Sequence, residues 1–401
     1  MPKLNPFILY IQIFLVVVVL SACSLGEDRF KSEDVRASVD RVTLDTQDRC
    51  SGRFVPHKLA FANGLRVREI GLYMNNGSGL AINDLDKDGD LDIVFTSVDR
   101  EVGIFWNQGN FEFEEQKIDE KFPRGVAIVD VNGDGGLDLV FSHRGLGGIT
   151  YWRNLGKEVK GDRFIKDELP GVDSFAYTMA WGDLNGDGLL DLVTGSYNVE
   201  LVQNGIAIPK RDARAGIFYY EQTEDGFIPQ RLSLDAQTLS IALVDLDMDG
   251  QKDIWVANDF DLPDQFWLRH NQRWNRTEPF EQTPHSTMST EWGYIANDYR
   301  LALFSTDMMP YDHSATTMAA WAPVMEGMMG EMEMMHNPDD PQIMENVLQM
   351  SGVDGVWENE ARRRGIEAAG WAWSAKFGDL DLDGFLDLYI VNGMLGINMF
   401  G

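Results

Sequence analysis

The chain has 401 residues, of which 44% are hydrophobic and 24% charged, and this composition excludes an intrinsically disordered protein. The 64 acidic and 34 basic residues give a formal net charge of −30, which excludes the basic surface that a nucleic-acid partner requires. The length is typical of two domains or of one large repeat array.

Residues 1–22 are predicted to be a targeting segment. Lys3 precedes an apolar run from Phe7 to Leu20 that is too short to span a bilayer comfortably. The run ends in Leu-Ser-Ala-Cys at 20–23, which resembles the cleavage box of bacterial lipoproteins. The resemblance implies cleavage before Cys23 and lipidation of its thiol, whereas an ordinary secretory signal is the alternative. With Ser24 next, it also implies the outer membrane, on its periplasmic or surface face.

The polar residues 23–51 are predicted to be the lipidated cysteine and a flexible tether. Cys50 is the only other cysteine in the sequence. If Cys23 carries lipid, no intramolecular disulfide can form, so packing and metal ions must hold the fold.

Five later segments share one nine-residue pattern, with Asp or Asn at positions 1, 3, 5 and 9 and glycine at position 6. Oxygen donors at this spacing, with the main-chain carbonyl of position 7, suit Ca²⁺, which takes six to eight oxygens. The sequence therefore predicts about five calcium ions, and metal-free Asx-Gly turns are the alternative. The predicted metal ligands are Asp84, Asp86, Asp88, Asp90 and Asp92; Asp130, Asn132, Asp134, Gly136 and Asp138; Asp183, Asn185, Asp187, Leu189 and Asp191; Asp245, Asp247, Asp249, Gln251 and Asp253; and Asp379, Asp381, Asp383, Phe385 and Asp387.

The flanks of these loops predict strands and not the helices of an EF-hand. Position 12 of the loops lacks the glutamate of an EF-hand, and a short apolar stretch lies on each side of every loop. A third strand follows four of the loops, at 103–107, 149–154, 217–220 and 265–268. A fourth is predicted to begin at 109–111 and at 226–227. Four short strands per repeat indicate a blade of a β-propeller, with the aromatic residues filling the space between blades.

A degenerate repeat lies between the fourth and fifth loops. Residues 289–293 and 303–304 resemble the two flanking strands, but of the ligand positions only Asp298 keeps an acid. The fold class is therefore all-β, a propeller of six four-stranded blades, or seven if the chain is truncated. Residues 52–59 resemble a fourth strand and are predicted to close the ring on the last blade, whose third strand is expected at 397–401.

The loops and their flanking strands resemble FG-GAP/VCBS repeats, as in integrin α-subunit propellers, over about residues 52–401. Segments 258–265, 306–310, 345–349 and 370–374 are similar to the propellers associated with the ASPIC/UnbV module, including cartilage-acidic-protein-like proteins. The resemblance implies a cation-dependent extracellular interaction scaffold. The degenerate loop departs from the pattern of the family.

A methionine-rich insertion occupies about residues 307–345. Eleven of the 18 methionines lie between Met308 and Met350. Five of them share one helical face, which predicts an amphipathic helix packed on the propeller. An adaptable partner groove and a thioether copper(I) site with His336 are the alternatives. The five methionines are Met325, Met328, Met329, Met332 and Met335.

The sequence contains no motif of a serine hydrolase, a zinc protease or a phosphate-binding loop. Its six histidines are scattered, and Asp312-His313 is the one pair that we consider as a candidate for a catalytic role. We expect a non-catalytic, calcium-binding lipoprotein that acts as a cell-envelope interaction or adhesion scaffold for a protein or glycan, held at the membrane through Cys23. The alternative is a calcium-dependent polysaccharide lyase or hydrolase.

Overall fold

The structure is a computed structural model that describes residues 56–59, 78–97, 101–156, 163–260, 262–312, 314–319, 341–352 and 355–392. These residues fall within one compact unit that spans 52–401. Short antiparallel strands dominate it, as the alternation of apolar stretches and Asp-Gly loops predicts.

Blades 1 to 4 are four-stranded antiparallel sheets in which each strand pairs with the next along the chain. Their strands are β1 (Leu80–Asn83), β2 (Asp92–Phe95), β3 (Val102–Asn107) and β4 (Phe113–Ile118); β5 (Pro123–Val129), β6 (Asp138–His143), β7 (Ile149–Asn154) and β8 (Phe164–Asp167); β9 (Thr178–Gly182), β10 (Asp191–Gly195), β11 (Ile217–Thr223) and β12 (Gly226–Ser233); and β13 (Thr238–Val244), β14 (Asp253–Asn258), β15 (Gln265–His270) and β16 (Arg273–Thr277).

The remaining strands form blades 5 and 6 and two short pairs beside them. They are β17 (Thr283–Pro284), β18 (Ser289–Gly293), β19 (Ala302–Thr306), β20 (Met308–Met309), β21 (Gln342–Ile343), β22 (Val347–Ser351), β23 (Trp357–Asn359), β24 (Gly370–Gly378) and β25 (Asp387–Asn392). In the sequence, the methionine-rich insertion falls between β19 and β22. Blade 5 is the four-stranded sheet β18-β19-β22-β23, and β24 pairs with β25 in blade 6. Two further pairs connect the segments around the insertion: β17 with β21, and β20 with β24.

The first strands of consecutive blades lie side by side, from β1 through β5, β9, β13 and β18 to β24, which makes a six-bladed β-propeller. Helices are few among the described residues. They are α1 (Asn198–Gln203), a 3₁₀ helix (Pro209–Arg211), residues 315–319 and α2 (Ala361–Arg364).

The hydrophobic core is divided among the interfaces between blades. Val94 and Ile104 of blade 1 pack with Phe141 of blade 2 in one buried cluster, and Tyr219 of blade 3 packs with Trp267 of blade 4 in another. Burying one such side chain contributes roughly 1.5–3 kcal/mol. The predicted role of the aromatic residues, to fill the space between blades, is confirmed at these interfaces.

The strands predicted around the five loops are confirmed, and so are those of the degenerate repeat. The predicted start of the fourth strand in blade 1 is wrong. Residues 109–111 form a turn, because Asn110 and Phe111 have φ of 54° and 60°, and β4 begins at Phe113. The strands β22 and β23 were not predicted from the sequence.

Pro56–Leu59 is the described part of the segment predicted to close the ring, and it forms no strand. The imidazole of His57 stacks on the phenyl ring of Phe111 in blade 1, with ring centroids 4.7 Å apart. The predictions for residues 1–51, Cys23, His313, the five methionines, His336 and 397–401 lie outside the described residues. No described helix is long and apolar enough to cross a membrane.

Candidate metal-binding loops

All five aspartate loops share one backbone conformation. The glycine at position 6 has φ between 85° and 97° in every loop. Position 4 is also left-handed, as glycine in the second and third loops and as Lys87, Met248 and Leu382 in the others, with φ near 60°. Left-handed backbone at a non-glycine residue costs roughly 1–2 kcal/mol, so the loop must compensate for it elsewhere.

Main-chain N–H groups hold the carboxylates of positions 1 and 5. The glycine N–H of position 6 donates to the position 1 carboxylate in each loop, over 2.8–3.0 Å, as from Gly89 to Asp84. The N–H of position 7 donates to the position 5 carboxylate over 2.7–3.0 Å. These bonds place the predicted position 7 residues Asp90, Gly136, Leu189, Gln251 and Phe385 beside the position 5 carboxylate.

The aspartate at position 9 has a different environment from the residues at positions 1, 3 and 5. In blade 4, Asp253 accepts the N–H of Leu246 at 2.8 Å and the N–H of Arg269 on β15 at 2.8 Å. The same two bonds recur at Asp92, Asp138 and Asp191, and all four carboxylates are buried. Position 9 therefore connects the loop to the third strand of its blade.

Burial raises the pKa of the position 9 carboxyls, because desolvation disfavours their charged form. The pKa of Asp253 is raised to about 6 by burial, and the neighbouring Asp247 and Asp245 raise it further. In the fifth loop Asp387 is exposed and accepts the N–H of Leu380 at 2.9 Å.

In three loops the carboxylates of positions 1, 3 and 9 converge, with one oxygen from each within 4.8 Å of the others. The second and third loops carry Asn132 and Asn185 at position 3, and each amide donates to the position 5 aspartate at 2.9 Å. The predicted ligands of each loop are therefore brought together locally. The three carboxylate sets are Asp84, Asp86 and Asp92; Asp245, Asp247 and Asp253; and Asp379, Asp381 and Asp387.

The fourth loop includes a residue that the nine-residue pattern did not identify. His270, at the end of β15, has Nε2 3.1 Å from Asp247 Oδ2 and Nδ1 3.5 Å from Asp249 Oδ2. Its position after Arg269, whose N–H binds Asp253, is a signal that can be recognised once β15 is paired with β14. In the first loop, Arg163 Nη1 lies 3.6 Å from Asp86 Oδ2.

The degenerate loop of blade 5 lacks such a set of acids. Asp298 accepts the N–H of Arg300 at 3.1 Å and belongs to none of the acidic clusters found in the described residues. Tyr294 and Tyr299 are exposed in this loop, and Asn297 donates to the carbonyl of Gly384 in the fifth aspartate loop at 2.6 Å.

Segments 258–265, 306–310 and 345–349 contain buried polar groups that close turns in blades 4 and 5. Asp264 accepts the N–H of Asn258 at 3.0 Å and Trp255 Nε1–H at 2.9 Å. Asp307 accepts the N–H of His285 at 2.8 Å, and Asn346 Oδ1 accepts the N–H of Asp307 at 2.8 Å. These groups therefore hold the ends of β14 and β19.

Comparison with known proteins identifies the repeats. Residues 84–141 and 130–194 match the model of the FG-GAP-like repeat. No curated protein matches the chain. Among solved structures, the crystal structure of AofleA from Arthrobotrys oligospora is similar at 10% identity, with a TM-score of 0.41, over 79% of this chain and 80% of that one. The chain therefore carries FG-GAP-like repeats on a six-bladed β-propeller, a scaffold consistent with a binding or adhesion role.

Proposed function

We propose that this protein is a non-catalytic binding scaffold whose five aspartate loops each hold one calcium ion. The observation that carries the proposal is the convergence of positions 1, 3 and 9 in three separate loops. Three carboxylates within 4.8 Å repel one another, and a divalent cation would remove that repulsion. Folding would then be coupled to metal binding.

The donor set fits calcium. Each loop offers carboxylate and amide oxygens, and oxygens are the ligands that Ca²⁺ takes. In the second loop, Asp130 Oδ1 is buried and has no hydrogen-bond partner, so a cation would satisfy it. Loops with four carboxylates, which begin at Asp84, Asp245 and Asp379, are expected to bind more tightly than those with Asn132 or Asn185.

We further propose a bacterial lipoprotein that is anchored at Cys23 to the outer membrane and presents the propeller to a protein or glycan in the cell envelope. The Leu-Ser-Ala-Cys box at 20–23 supports the anchor. Calcium affinities of about 10⁻⁴–10⁻³ M are typical of extracellular modules and would keep such loops occupied outside the cytoplasm.

The test is thermal unfolding of the full chain carrying Cys23→Ser, first in excess EGTA and then across a calcium titration. We expect a large rise in melting temperature with calcium and a smaller one with magnesium, because the smaller ion demands a stricter geometry. An unchanged melting temperature would show that the loops are turns and not ion sites.

A matched pair of variants assigns the effect to the loops. Asp245→Ala removes the first ligand of the fourth loop, and Asp298→Ala removes the acid of the degenerate loop. Calcium counted by equilibrium dialysis should fall by one ion per chain in Asp245→Ala and stay unchanged in Asp298→Ala. Equal losses in both variants would contradict the assignment.

A further inference from the structure

Blade 3 carries an insertion at the opposite end of its second strand from the aspartate loop. Residues 196–216 join β10 to β11, whereas 96–101, 144–148 and 259–264 make the same connection in blades 1, 2 and 4. Because β10 has five residues, the two ends lie about 15 Å apart. The insertion therefore builds a surface on the face away from the aspartate loops.

The insertion is fixed to the propeller on its inner side. Leu201 of α1 is buried in a cluster with Phe175 and Ala215. Gln237 Oε1, just before β13, accepts the N–H of Val199 at 3.2 Å, which connects α1 to blade 4. The segment is thus held between blades 3 and 4, and its outer side is preformed.

That outer side forms one wall of a pocket of about 590 Å³ between blades 3 and 4. This volume is within the range of small-molecule and side-chain pockets, roughly 300–1,000 Å³. Its walls are aliphatic, and Val202 and Ile208 remain about half exposed, at 51% and 48%. The apolar lining includes Val199, Val202, Ile208, Pro209, Ala236 and Leu262.

The polar groups of the pocket restrict the charge and the hydrogen-bonding groups of a ligand that could bind there. Lys210 is already paired with Asp235, so an anion would find its positive charge neutralised, on a chain with a net charge of −30. The side-chain oxygens of Asn198 and Gln237 already accept hydrogen bonds, from Ser196 Oγ and the N–H of Val199. What these amides offer a ligand is therefore their N–H donors.

These features together favour one class of occupant. An uncharged peptide supplies carbonyl acceptors for the amide donors and a large apolar side chain for the aliphatic walls. A sugar is disfavoured because no aromatic ring is among the described residues that line the pocket. A fatty acid is disfavoured because the lysine among these residues is already paired with a carboxylate.

We propose that this pocket receives one large apolar side chain of an extended, uncharged segment of a partner protein. The inference deepens the proposed role as a binding scaffold by naming a partner class and a surface. It does not depend on calcium in the aspartate loops, so the two proposals can fail separately.

The test is a methyl NMR titration of the full chain carrying Cys23→Ser with N-acetyl-leucine methylamide and with a capped Leu-Leu dipeptide. We expect shifts at the methyl groups of Val199, Val202, Ile208 and Leu262 at probe concentrations of about 1–20 mM, with tighter binding of the dipeptide. Parallel titrations use maltose and a soluble fatty acid.

Two variants should reduce the shifts that the dipeptide causes at a given concentration. Val202→Asp places a charge on the pocket wall and should weaken dipeptide binding by about tenfold or more, because the ligand would have to desolvate it. Val202→Trp fills the space instead and keeps the test valid if the charged variant does not fold. Ile228→Asp, on the exposed side of β12 at 58% exposure, is the control and should bind the dipeptide as the parent does.

The proposal is wrong if maltose or the fatty acid shifts the pocket methyls and the peptides do not. It is also wrong if none of the probes shifts them. Repeating the titration in EGTA separates the two proposals. If the peptides shift the pocket methyls but calcium does not change the melting temperature, the pocket proposal holds and the calcium-scaffold proposal is wrong.

Discussion

At the scale of single residues, the predicted ligand positions of a loop have unequal roles. In the fourth loop, Asp249 is exposed and accepts hydrogen bonds from its neighbour Gln251, and its contact outside the loop is with the half-buried His270. Asp253 is 1% exposed and joins the loop to β15. We therefore expect the position 9 aspartate to stabilise the fold with or without metal, and the position 5 aspartate to act chiefly through metal.

Replacing Asp253 by alanine should lower the free energy of unfolding by about 3 kcal/mol in EGTA, because two buried N–H groups lose their acceptor. Asp249→Ala should cost less than about 1 kcal/mol in EGTA but should remove calcium from the fourth loop. Urea denaturation with and without calcium measures both variants. Equal losses in EGTA would show that position 9 has no separate structural role.

At the scale of elements, one buried ion pair connects neighbouring blades. Arg124 at the start of β5 donates to Glu200 of α1 at 2.6 Å, and the two side chains are 7% and 9% exposed. Glu200 also accepts the N–H of Gly145 at 3.1 Å. Because both charges are desolvated, neither tolerates the loss of the other.

Glu200→Ala should therefore destabilise the protein by about 3–5 kcal/mol, because Arg124 stays buried but loses the carboxylate of Glu200. The double variant Arg124→Met, Glu200→Ala should recover part of that loss, because no charge of the pair then remains buried. A double-mutant cycle in urea measures the coupling. Strictly additive losses would contradict a direct interaction between the blades.

At the scale of the whole molecule, buried carboxyls should make stability depend on pH. Burial raises the pKa of Asp264 to about 7 and that of Asp307 to about 8, against roughly 3.9 in an unfolded chain. Between these values the native state keeps protons that the unfolded chain has released. Their stabilising contribution is complete below about pH 4 and is lost as pH rises towards 7–8.

The free energy of unfolding in EGTA should therefore fall between pH 5 and pH 8, by linkage to the proton uptake of these aspartates. Asp264→Asn cannot ionise, so it should flatten the slope. Its single carbonyl oxygen accepts only one of the two N–H bonds, from Asn258 and Trp255, that the two carboxylate oxygens of Asp264 accept, so its overall stability should be lower at every pH. Denaturation curves across this pH range measure both proteins. A slope that is unchanged by the variant would show that Asp264 does not titrate in the native state.

The five loops and the strands beside them could be recognised from the sequence, because each nine-residue loop closes on its own backbone. Left-handed glycine at position 6 and the N–H bonds to positions 1 and 5 are local, so the spacing of Asp and Gly was sufficient to locate them. The aromatic residues of the third strands are likewise predicted correctly to fill the space between blades, since runs of consecutive apolar residues in a short strand indicate burial on both faces.

Features that depend on distant parts of the chain became visible only once the strands were paired. β22 pairs with β19, from which the methionine-rich insertion separates it in the sequence, so no short sequence pattern predicts this pairing. His270 meets the fourth loop, and position 9 becomes buried, only when the third strand pairs with the second. The pocket needs α1, the residues before β13 and the turn after β14 together, because an apolar wall becomes a site only when packing brings separate segments around one space.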